Sequence, residues 1–83
     1  MSAHAYIQWA DVPQALINGS RQRVDGATQA KLISFDGCAL TGEIEEQKGA
    51  LVVCFPFPKS ADIHGALVLW LMYWGISFTV VLS

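Results

Sequence analysis

Charge is scarce in this chain. Of its 83 residues only 14% are charged, against about 25% in an average soluble domain. The basic residues are Arg21, Arg23, Lys31, Lys48 and Lys59, and only the two arginines lie close together. There is no basic stripe, so sequence-independent nucleic-acid binding is not expected. Cysteine is limited to Cys38 and Cys54, with no C-x-x-C pair, which leaves neither a redox motif nor a zinc knuckle. The opening MSAHAYIQWADV lacks a basic segment, an apolar segment and a cleavage motif. The expected compartment is therefore the cytoplasm, with both thiols reduced. Repeats, low-complexity tracts and linkers are also missing, and the length suits a single domain over residues 1–83.

Catalytic chemistry finds few candidates. Nucleophilic catalysis needs a Ser or Cys with a nearby His and an orienting acid. His4 and His64 are the only histidines. His64 stands two residues from Asp62 near a helix start, and residues so spaced do not face each other. Zinc bound by Cys38, Cys54, His4 and His64 has no ligand spacing behind it. The segment DGCALTG lacks the spacing and the lysine of a phosphate-binding loop. Glu43 and Glu45 share one strand face as paired carboxylates do, but a glycosidase needs a deep cleft that so short a chain rarely encloses. The expectation is a protein that is not an enzyme and uses no metal or other cofactor.

What the chain has in surplus is apolar surface. Apolar residues make up 53% of it, and none of the residues from Gly65 to Ser83 is charged. That run is long enough to be scored as a membrane span. Its interior argues for a helix and then a strand. Ser60 can cap a helix whose positive end Asp62 favours, and Ala61 to Trp74 is rich in Ala, Leu and Met. Gly75 is the usual residue just past a helix end. ISFTVVL then has the β-branched and aromatic composition of a strand. Trp70, Tyr73 and Trp74 would fall near mid-bilayer, whereas interface aromatics sit at the ends of a span.

On that helix Ile63, Leu67, Trp70, Leu71 and Trp74 form one stripe at the 3.6-residue period, the predicted core face. The opposite side offers Val68, Leu69, Met72 and Tyr73 instead of polar residues. One sheet covers only one side of a helix, so this second surface calls for another cover.

Upstream, Ala5 to Ala10 alternates as a strand does. DVPQALINGS reads as one or two helical turns, with Asp11 as a possible cap, Pro13 in the first turn and Gly19 as the stop. VDGA and FDGC carry Asp-Gly pairs, and EEQKGA is a third turn candidate. These turns divide Ala27 to Phe57 into a three-strand meander, although Ala27 to Ser34 also reads as a short helix. A two-residue loop at Asp36-Gly37 sets Ile33 opposite Leu40. A four-residue loop from Glu46 to Gly49 sets Ile44 opposite Leu51. One face then collects Ile33, Phe35, Cys38, Leu40, Ile44, Leu51, Val53, Phe55 and Phe57. The other collects Leu32, Thr41, Glu43, Val52 and Cys54. Pro56 and Pro58 end the third strand.

The expected fold is α+β: a small antiparallel or mixed sheet made of an N-terminal strand, a three-strand meander and a C-terminal strand, with one long helix on one face. Small size, mild acidity and surplus apolar surface point to a protein-interaction module that acts by surface binding. Small inhibitors and accessory proteins of phages and other mobile elements share this composition. The expected partners are a second copy in a homodimer, or another protein as target. Val68, Leu69, Met72 and Tyr73 are the apolar interface candidates, and Glu43 and Glu45 the acidic ones. Two alternatives stand beside this reading. One is a membrane-associated protein anchored by residues 65–83. The other is an oligomer with a ligand-binding or catalytic site between subunits.

Overall fold

The computed structural model describes residues 3–57 and 61–82. Strand β1 (Ala3–Gln8) leads through a 3-10 turn (Trp9–Asp11) into the short helix α1 (Gln14–Asn18). Strands β2 (Arg21–Val24), β3 (Lys31–Ser34), β4 (Gly42–Gln47) and β5 (Ala50–Phe57) follow in an antiparallel meander. Helix α2 (Ala61–Trp74) then crosses to β6 (Thr79–Leu82). The order across the six-stranded sheet is β2-β3-β4-β5-β1-β6. Neighbours are antiparallel throughout, so β5 and β6 run parallel on either side of β1. A parallel return of this kind needs a long crossover, and α2 supplies it. The fold is therefore α+β, and α2 is the one helix of seven or more residues among those described.

The meander has four strands rather than three. β2 escaped the sequence reading because RQRV is exposed at all four positions and so shows no apolar alternation. Residues 31–34, left open between strand and helix, are strand.

The register also differs from the expectation, by two residues in each hairpin. Ile33 pairs with Gly42, and Ile44 pairs with Val53. In the second hairpin the loop is only Lys48-Gly49, both at positive φ (52° and 80°), which closes a tight type I′ turn. In the first, Asp36-Gly37 does turn, with the Cys38 amide donating to the Phe35 carbonyl at 3.2 Å. The strands, however, do not zip up behind it. The Trp70 indole N–H of α2 donates to the Asp36 carbonyl at 3.1 Å, and its ring lies 3.6 Å from where a Gly37 Cβ would stand. The turn is docked on the helix instead of being packed into a hairpin. A shift of two keeps every side chain on its expected face.

The core lies between the helices and one face of the sheet. Ala5, Ile7, Ile33, Phe35, Val53 and Phe55 meet Val12, Leu16, Leu67, Trp70, Leu71 and Ile76 in one buried cluster. Cys38, Leu40 and Ile44 pack against it, whereas Leu51, expected among them, is exposed near the end of its hairpin. Of the predicted helix stripe, Leu67, Trp70 and Leu71 are buried, and Ile63 and Trp74 are exposed. They stand near the two ends of the 14-residue helix.

The helix closes with a Schellman turn. Gly75 takes φ +67°, its amide donates to the Met72 carbonyl, and the Ile76 amide donates to that of Leu71 at 2.9 Å. Pairing in β6 begins only at Thr79, three residues later than ISFTVVL implied. The Ser60 cap lies outside the described residues. Among the described residues no helix is long and apolar enough to cross a membrane.

Candidate functional site

The two sets of interface candidates fall on opposite sides of the molecule. Leu69, Met72 and Tyr73 project from α2 away from the sheet and are 68%, 67% and 81% exposed. Val68 beside them is half-buried. Ala66 is exposed on the same face, and at the end of the helix the Tyr73 and Trp74 rings meet edge to face at 5.5 Å. The only charge described on this helix is Asp62, in its first turn. With so few polar groups on it, this face is suited to contact with another apolar surface.

Glu43 and Glu45 stand on β4, on the sheet face that no helix covers. The pairings run in one row across the whole sheet: Thr79, Tyr6, Cys54, Glu43, Leu32 and Arg23. Paired residues share a face, so these six side chains line the open surface together. A parallel row holds Gln8, Val52 and Glu45. Two open depressions mark this surface. One of about 300 Å³ is bounded by His4, Tyr6, Glu43, Glu45 and Cys54, and one of about 450 Å³ by Tyr6, Gln8, Gln47, Val52 and Val81.

The chemistry of the row is quiet. Tyr6 faces Cys54 across the β1–β5 pairing, and hydrogen bonding with the thiol is the largest influence raising the tyrosine pKa. Burial is the largest influence on Cys54 and pushes its thiol up; the Tyr6 bond works against it, and Glu45 and Glu43 add to the rise. A nucleophilic cysteine needs the reverse, a neighbourhood that lowers its pKa. Cys54 is thus a protonated, buried thiol at neutral pH. Cys38 is also raised, first by burial, with the Leu40 amide opposing. Both cysteines are free and sit on opposite sides of the sheet. Among the described residues no three His, Cys, Asp or Glu side chains gather closely enough to hold a metal ion.

The sequence pointed to Glu43 and Glu45 but not to Tyr6, Gln8 or Arg23 as their companions on this face. Their joining rests on β1 lying beside β5 and on β2 existing, and neither is signalled by spacing along the chain. No protein-family model, curated protein or solved structure shows significant similarity to this chain.

Proposed function

We propose that this protein is a non-enzymatic interaction module that binds another protein surface through the outer face of α2, and that its first partner is a second copy of itself. The observation that carries the reading is the exposure of Leu69, Met72 and Tyr73 on a helix whose described residues bear only one charge. Fully burying one such side chain is worth about 1.5–3 kcal/mol. A chain of this length has little core to spare for that loss. A twofold dimer covers the patch economically, because the same surface serves both subunits. The quiet chemistry of the open face supports the same reading, since its thiol is held protonated.

The test is substitution at the centre of the patch. Leu69→Asp places a charge in the contact while leaving the buried stripe of Leu67, Trp70 and Leu71 intact. Light scattering should show a dimer for the parent and a monomer for Leu69→Asp, with unchanged circular dichroism. A parent dimer that Leu69→Asp leaves intact places the contact elsewhere. A monomeric parent removes the second copy as partner.

A further inference from the structure

The sheet ends in two very different edges. β2 closes one side with Arg21 and Arg23 among its four residues. Charges on an edge strand are a common guard against pairing with another chain. β6 closes the other side with Thr-Val-Val-Leu, all four exposed, and it has no charge, proline or bulge. Among the described residues nothing pairs with its outer side. In an antiparallel strand every second residue turns both its N–H and its C=O away from the neighbour, so β6 presents unpaired backbone groups to solvent.

From this we infer that β6 pairs antiparallel with β6 of a second copy about a twofold axis at Val81, joining the two sheets into one of twelve strands. This rests on the preceding reading that the partner is a second copy, and it specifies where the backbones meet. The register follows from two constraints. Residues directly opposite must both present, or both withhold, their outward N–H and C=O. They must also share a sheet face, because a slip of one residue flips every side chain. Only registers in which one residue of β6 meets its own copy satisfy both. With Val81 on the axis, Leu82 of each copy lies opposite Val80 of the other, on the helix side. These are the two residues of β6 that α2 leaves uncovered, 69% and 41% exposed. Val81 then meets its own counterpart on the open face. The same register sets both α2 helices on one side of the joined sheet.

Val80, Val81 and Leu82 are the exposed apolar side chains that flank this edge, and they close over the paired backbones from both faces of the joined sheet. The occupant is a copy of this chain because an uncharged strand meets its own copy without like charges opposed, which β2 does not.

Val81→Lys separates this inference from the α2 reading, because Val81 faces away from α2. It sets two ammonium groups opposite each other across the axis. Sedimentation velocity should show a dimer for the parent, and the dissociation constant of Val81→Lys should rise about tenfold or more. Hydrogen exchange should show protection of β6 amides that grows with concentration. If Val81→Lys fails to fold, Leu82→Lys at the same exposed edge replaces it. Dimers that survive the lysine variant with unchanged affinity overturn the edge pairing. If Leu69→Asp alone breaks those dimers, the α2 reading stands while this one falls. A monomeric parent overturns the edge pairing and leaves α2 free for a different partner.

Discussion

Gly42 sits where β4 passes closest to the core. A Cβ at this position would stand 2.5 Å from Cγ1 of Val53 and 3.0 Å from Cε1 of Phe55. Both neighbours are fully buried and have no room to withdraw. Gly42→Ala should therefore cost about 1–3 kcal/mol through overpacking, seen as a lower thermal midpoint. Gly75 is a glycine for a different reason: nothing lies within 4 Å of its would-be Cβ, and only its φ of +67° demands it. The cysteines act through protons. Cys38 and Cys54 are both raised, chiefly by burial, and unfolding returns them to ordinary thiols near pH 8.5–9. The folded chain keeps protons that the unfolded chain gives up above that pH. Their contribution to stability is therefore complete below about pH 8.5 and is lost as pH rises toward the folded values. Thermal melts from pH 7 to 10 should show a steeper decline for the parent than for Cys38→Ala/Cys54→Ala. Parallel slopes would mean that the thiols do not share in that loss.

The elements were legible in the sequence wherever local chemistry and burial agreed. α2 is the clearest case: its composition, its Gly75 stop and the following β-branched run gave its extent from the sequence, and Leu67, Trp70 and Leu71 were named as core. The two faces of β4 and β5 were legible too, because alternation there reflects burial on one side. What failed was turn geometry. Asp25-Gly26 looked like the two central residues of a tight hairpin. Instead Asp25 opens a longer loop, its carboxylate accepting from the Ala27 amide at 3.1 Å and the Thr28 hydroxyl at 3.0 Å, while Gln29 takes the positive φ. Those bonds hold the Asp25 pKa below its ordinary value, the Ala27 amide most of all. The Asp36-Gly37 hairpin was overridden by Trp70, a residue 34 positions away that no local pattern reveals. At Lys48-Gly49 the reverse holds, since the loop is tighter than read and places Lys48 at φ 52°. Asparagine tolerates that conformation better and is favoured before glycine in such turns. Lys48→Asn should raise the thermal midpoint, by an amount equivalent to about 0.5–1 kcal/mol, and a lowered midpoint would contradict the turn assignment.

For the whole molecule, the open sheet face and the outer face of α2 are two separate surfaces of opposite character. The first carries Glu43, Glu45, Tyr6 and Arg23, and the second Leu69, Met72 and Tyr73. The sequence named residues on both without showing that they lie back to back, because strand order is fixed by long-range pairing. The apolar surface, not the acidic one, is the stronger reason for a partner, since carboxylates are already solvated in the monomer while exposed Leu and Met are not. The most direct measurement is the mass of the parent protein by light scattering through the micromolar range, in buffer without detergent. Twice the chain mass, falling to one on dilution, is the result expected of a self-associating module. A single-chain mass at every concentration would contradict it.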